Sequence, residues 1–145
     1  MEYSVLIKNK NILITGTSKG IGNFLAKKFL KSGNNVWGCS RTNKKINHKN
    51  YFHQKIDLNN EIKISQWITK ILKGKNFHID VLINNAATYE KNLSYFQKIS
   101  DIKRSFKVNA MAPILLTNLI SKDMIKNRKG LIIFFSSVAT ILNEP

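Results

Sequence analysis

Eight residues, Thr15-Gly16-Thr17-Ser18-Lys19-Gly20-Ile21-Gly22, carry the first pattern that could do chemistry. They stand between a short apolar run and an amphipathic segment. Glycines at Gly-x3-Gly-x-Gly spacing expose backbone N–H groups with few side chains in the way, which is what a dinucleotide pyrophosphate needs at a helix N-terminus. Gly16 suits a tight turn, Gly20 a close approach of the phosphates, and Gly22 close packing of the helix on the sheet. Thr17, Ser18, Lys19 and Ile21 complete the expected cradle. A turn that only reversed the chain would not need three glycines. A second reactive group, Ser137, follows the apolar run Leu131-Ile132-Ile133-Phe134-Phe135. A serine there stands where an open α/β sheet keeps its ligand crevice. Taken alone, its hydroxyl could equally satisfy a loop backbone.

The elements that must position these groups alternate in type. Asn11–Thr15 reads as a strand, followed by a helix with Ile21, Leu25 and Phe29 as its buried stripe and Ser32-Gly33-Asn34 as its stop. Val36–Ser40 reads as the second strand, 42–50 as a polar loop and Tyr51–Leu58 as the third strand. Ile64, Ile68, Ile71 and Leu72 mark a second helix, which ends at Gly74-Lys75-Asn76. Ile79–Asn84 is nearly all apolar, as a strand covered on both faces should be. A long helix is expected from about Asp101 to Asn127, burying Ala112, Leu115, Leu116, Leu119 and Ile120. Gly130 ends it, and Leu131–Ser137 reads as a fifth strand. Strands alternating with helices specify a parallel sheet covered by helices.

Thr-Gly-x3-Gly-Ile-Gly at 15–22 resembles the cofactor signature of the short-chain dehydrogenase/reductase family, and further matches follow in order. Asp57-Leu58 falls where that family sets an aspartate against the adenine amino group. Asn84-Asn85-Ala86-Ala87 is similar to its Asn-Asn-Ala-Gly, with Asn85 and Ala86 along the adenosine ribose and Ala87 departing from glycine. Asn109, in Lys107-Val108-Asn109, resembles the helix asparagine that holds a water for the proton relay. Ser136-Ser137-Val138-Ala139 resembles the active-site serine motif, with Ser137 in the catalytic place. The resemblance implies an α/β, Rossmann-like, doubly wound parallel sheet in the order 3-2-1-4-5. Residues 1–145 would form one NAD(P)-binding domain, truncated after the fifth strand.

The activity implied is hydride transfer between a nicotinamide and a small carbonyl or alcohol substrate. The cofactor carries the chemistry, and the protein orients and polarises. The serine would hydrogen-bond the substrate oxygen, while a tyrosine moves the proton and a lysine lowers its pKa. That Tyr-x3-Lys pair is expected just past Pro145. Tyr51 and Tyr95 fall in the wrong elements to replace it, and Tyr89 lies in a loop. The catalytic set expected here is therefore Ser137 and Asn109 alone, in a fragment inactive by itself.

Family members that use NAD carry an acid at the end of strand two, which would repel a 2′-phosphate. Here that place is Ser40, followed by Arg41, whose fork of donors suits a phosphate. Lys19 resembles the second basic residue of NADP-preferring members. NADP(H) is expected over NAD(H). Two other readings follow from the same sequence. One is a non-catalytic cofactor-binding half-domain, and the other a basic polyanion-binding protein.

Composition weighs against the last. Lys and Arg number 24 against 8 acids, a net charge of +16. Only Arg41, Arg104 and Arg128 are arginines, the lysines are spread along the chain, and Lys, Asn and Ile are all abundant. That pattern fits a coding bias better than a specific nucleic-acid site. Cys39 is the single cysteine, and no Cys/His cluster has metal-ligand spacing. His48, His53 and His78 read as surface or packing residues. No apolar run is long enough for a signal peptide or a membrane span. A cytoplasmic chain, homo-oligomeric at full length, is the expectation.

Overall fold

The computed structural model describes residues 7–43, 46–74, 77–89 and 96–137. Strands β1 (Asn11–Thr15), β2 (Asn35–Ser40), β3 (Tyr51–Lys55), β4 (Val81–Asn84) and β5 (Leu131–Phe134) form one sheet in the order β3-β2-β1-β4-β5. All four neighbouring pairs are parallel. The order is the doubly wound one expected, with its switch point between β1 and β4.

The apolar run of β1 is explained by what lies on its two faces. Ile12 and Ile14 pack with Ala26, Phe29 and Leu30 of helix α1 (Gly20–Lys31). Leu13, between them, points the other way, into a cluster with Ile64, Trp67 and Ile68 of α2 (Glu61–Leu72) and Leu116 and Ile120 of α4 (Ala112–Lys126). Ile12, Leu13 and Ile14 are all fully buried. Each such side chain contributes about 1.5–3 kcal/mol, enough to hold helices on both faces. Residues Ile99–Phe106 form α3.

The amino ends of the strands are tied by charge. Asp80 accepts from the Asn11 backbone N–H at 3.0 Å, from Lys10 Nζ at 3.3 Å and from His78 Nε2 at 3.2 Å, with Lys129 Nζ at 3.9 Å. Among the described residues every ion pair converges on this carboxylate. Burial raises its pKa, but the hydrogen bonds and cations outweigh burial and hold it below the usual carboxylate range.

Several boundaries differ from those expected. β3 stops at Lys55 because the Ile56 N–H bonds the carbonyl of Ser40, the last residue of β2, and the chain then turns at Asp57. β4 begins at Val81, and β5 stops at Phe134, opposite the last residue of β4. Ile21 is not on the buried stripe of α1: it is 57% exposed, and the stripe is Gly22, Ala26, Phe29 and Leu30. Its small members are invisible to apolar periodicity. The single long helix is three pieces, α3, a π-helical turn at Lys107–Met111, and α4. Pro113 has no N–H to give the Asn109 carbonyl four residues back. The Ala112 N–H instead reaches the Lys107 carbonyl, five back.

Candidate cofactor site at the carboxyl end of the sheet

Three turns meet where β1, β2 and β4 end. Gly16 adopts φ +77°, and a Cβ there would lie 2.9 Å from the Ala86 Cα. Its N–H bonds the Cys39 carbonyl at 2.9 Å. The buried hydroxyl of Thr15 accepts from the Asn85 and Ala86 N–H groups at 3.0 and 2.9 Å. The Asn85 amide returns a bond to the Thr15 carbonyl at 2.9 Å. The glycine turn and the turn after β4 are thus one rigid unit. Gly22 makes this possible, because a Cβ there would meet both Asn85 Nδ2 and the Gly16 oxygen at 2.4 Å. It packs the helix on the turn rather than on the sheet.

The helix behind this turn keeps its first N–H groups unspent. The N-cap of α1 is Lys19, which makes no side-chain capping bond, and its first turn holds no acid. In α2, by contrast, the Asn60 side chain accepts from the Lys63 N–H at 3.0 Å, and Glu61 stands in the first turn. One helix terminus is satisfied by its own sequence, and the other is left to an anion.

In front of α1 lies a cavity of about 450 Å³, within the usual range for small-molecule sites. Its wall runs from Gly16, Ser18, Lys19, Gly20 and Ile21, past Ser40 and Arg41, to Ile56, Asp57 and Leu58, and back along Asn85, Ala86, Ala87 and Thr88. Arg104 and Val108 close the side. Gly20 has φ +59° and open space where a Cβ would stand. Apolar walls, one carboxylate and three cations suit a phosphorylated adenosine. No described carboxylate pairs with Lys19, Arg41 or Arg104.

Most expected cofactor contacts line this cavity, but two do not. Thr17 is fully buried, its N–H bonded to the Cys39 carbonyl and its hydroxyl 2.7 Å from the Tyr51 hydroxyl. Gly22 lies behind the wall. The expected catalytic residues are also outside the lining. Asn109 is exposed, and its amide is spent on Thr88, accepting from the N–H and donating to the carbonyl, both at 2.8 Å. Ser137 lies exposed beyond β5. Tyr95 and the residues after Ser137 lie outside the described residues. Arg104, which sequence reading passed over, lines the cavity together with Ala87, Thr88 and Val108; no local motif marks it.

Tyr51 lies on β3, the wrong element as expected, although Lys55 stands four residues after it at the spacing of the Tyr-x3-Lys pair. On a helix that spacing brings two side chains together. On strand β3 it separates them by about 13 Å. Tyr51 is 8% exposed, and burial pushes its phenol above the ordinary value, partly offset by the Thr17 hydrogen bond. It is a poor proton donor to any substrate. Cys39, fully buried, has its thiol pushed up to about 12 by burial, partly offset by a backbone hydrogen bond from Gly16. Among the described residues no group of three or more His, Cys, Asp or Glu could hold a metal. No described helix is long and apolar enough to cross a membrane.

Comparison with known proteins agrees with this geometry. The chain is 37% identical over 138 residues to a 3-oxoacyl-acyl-carrier-protein reductase of Buchnera aphidicola, covering 91% of this chain and 56% of that protein. It is 31% identical over 114 residues to a benzil reductase of Bacillus subtilis, covering 76% of this chain and 47% of that protein. The chain thus spans about half the length of these curated relatives. Among solved structures, a 4-hydroxyisoleucine dehydrogenase complexed with NADH superposes with a TM-score of 0.85 at 28% identity, over 94% of this chain and 60% of that one. A metagenomic short-chain oxidoreductase in complex with NADP gives 0.83 at 27%, over 91% of this chain and 63% of that one. The family model for short chain dehydrogenase matches residues 10–145, and the chain belongs to that family.

Proposed function

We propose that residues 1–145 are the cofactor-binding part of an NADP(H)-dependent oxidoreductase that moves a hydride between nicotinamide and a carbonyl or alcohol carbon. The observation that carries the cofactor preference is the cavity wall at the end of β2. Ser40 stands there in place of an acid, and Arg41 and Lys19 line the same cavity without a described acidic partner. A terminal phosphate on the adenosine ribose gives these cations their counter-charge. The α1 N-terminus receives the pyrophosphate, and Asp57 and Val108 flank the adenine. The bound nicotinamide supplies or accepts the hydride.

Ser137 holds the substrate oxygen on this reading. The side chain of Asn109 is committed to Thr88, so its part in a proton relay falls to its backbone carbonyl, which Pro113 deprives of the usual helical donor. The one Tyr-x3-Lys spacing within residues 1–145, Tyr51 and Lys55, lies on β3, where the two side chains stand apart, so residues 1–145 alone bind cofactor without turnover on this reading.

The test is a fluorescence titration with NADPH and NADH, repeated on Arg41→Ala. NADPH should bind more tightly than NADH. Arg41→Ala should remove about tenfold of NADPH affinity, the worth of one charge-assisted contact, and leave NADH nearly unchanged. Equal affinity for the two cofactors in the unaltered chain would refute the preference.

A further inference from the structure

A line of hydrogen bonds, buried at Thr17 and Tyr51 and open to solvent at Thr42, runs from the glycine turn to the Arg41 turn through two residues of β3. The Thr17 hydroxyl lies 2.7 Å from the Tyr51 hydroxyl, which lies 3.0 Å from His53 Nδ1. His53 Nε2 lies 2.9 Å from the Thr42 carbonyl, and the Ser40 hydroxyl donates to the same carbonyl at 2.7 Å. A carbonyl can only accept, so His53 carries its proton on Nε2. Nδ1 then accepts from Tyr51, and Tyr51 accepts at 2.7 Å from Thr17, whose hydroxyl has the Cys39 carbonyl as a longer alternative acceptor at 3.4 Å. Every donor in the line finds an acceptor in one direction.

The fold makes room for this line. Gly38 lies within β2, opposite His53. A Cβ there would meet the Tyr51 hydroxyl at 2.4 Å and Thr17 Oγ1 at 2.6 Å. Glycine inside a strand weakens it and marks a close approach, and here the close approach is the Thr17–Tyr51 bond. Tyr51 and His53 are two apart on the strand, so they share a face.

The line ends on both sides of Arg41. Ser40 is fixed through its carbonyl, which accepts from the Ile56 N–H at 2.9 Å. Thr42 is fixed through the carbonyl that His53 and Ser40 share. Arg41 is thus held at the apex of a turn pinned before and after it. We propose that Tyr51 and His53 are positioning residues that aim Arg41 at the ribose phosphate and so set selectivity for a 2′-phosphorylated dinucleotide. This rests on the NADP(H) reading above and deepens it. Removing the His53 donor leaves the Thr42 carbonyl to Ser40 alone and frees the Arg41 backbone to wander. The loss falls on the 2′-phosphate and not on the pyrophosphate, which the glycine turn holds separately.

The experiment measures NADPH and NADH affinities for the chain as its gene encodes it, and for His53→Leu, His53→Gln and Tyr51→Phe. His53→Leu should lower NADPH affinity up to about tenfold, the worth of one hydrogen bond, while NADH changes by less than about twofold. His53→Gln, which can donate to Thr42 and accept from Tyr51, should restore most of the selectivity. Tyr51→Phe should give a smaller loss of the same kind. Selectivity that survives both His53→Leu and Tyr51→Phe in a chain that prefers NADPH overturns this inference alone, as does an equal loss for both cofactors. An unaltered chain with no preference refutes the cofactor reading, and this inference with it.

Discussion

The two ends of one sheet are built on opposite principles. At the amino end, Asp80 gathers Lys10, His78, Lys129 and a backbone N–H around a carboxylate 10% exposed, and its charge is answered locally. At the carboxyl end, Lys19, Arg41 and Arg104 face a cavity with no described acidic partner, and α1 starts without a cap. A charge answered within the chain serves stability. A charge left unanswered beside an uncapped helix awaits an anion from outside.

Substitutions should separate the two ends. The largest effect is expected at Gly22→Val, where even a Cβ would stand 2.4 Å from the Gly16 oxygen. Overpacking against backbone should cost about 3 kcal/mol and abolish cofactor binding with it, as read by urea unfolding. Its neighbour Gly20→Ala has open space and only a left-handed φ to bear, about 1 kcal/mol. Similar stabilities for the two variants would break the account of the turn. At the other end Asp80→Ala should cost about 2 kcal/mol with cofactor affinity preserved. Arg41→Ala should do the reverse, with stability unchanged to within about 0.5 kcal/mol.

The pH dependence should divide the same way. Asp80 titrates below its ordinary value in the folded chain, so its contribution is full above the unfolded value of 3.8 and is lost as pH falls through the folded one. Cys39 is shifted upward, so its protonated form favours the fold, and stability should fall as pH rises from the unfolded value of 9.0 toward about 12. Asp80→Asn should flatten the acid limb of a stability profile, and Cys39→Ala the alkaline limb. The smallest signal is chemical. At pH 8 the Cys39 thiol should resist alkylation until the chain opens, so its labelling rate should follow denaturant. Immediate labelling in native buffer would show that the turn above it is not closed.

What could be read in the sequence was whatever depends on neighbours along the chain. The alternation of strands and helices and the glycine turn were legible because apolar runs and Gly-x3-Gly-x-Gly are local patterns, whereas the strand order followed only from the family resemblance. Ile21 was misplaced because the buried stripe of α1 runs through Gly22 and Ala26, which periodicity of large residues does not register. The π-helical turn was missed, although Pro113 inside the long helical pattern was its signal. Thr17 resembles a cofactor contact by position, yet its hydroxyl belongs to Tyr51, a partner 34 residues away. Arg104 carried no local signal, and Gly38 only that of a glycine inside a strand, which does not name the partner. Their roles exist only once β2, β3 and α3 are assembled.

The most direct test of which end holds the ligand is amide hydrogen exchange with and without NADPH. Slower exchange confined to residues 16–22, 40–42 and 85–88, with Asn11, Asp80 and Leu131 unchanged, is the expected result. Protection centred on the Asp80 end, or none at the glycine turn at saturating NADPH, would contradict it.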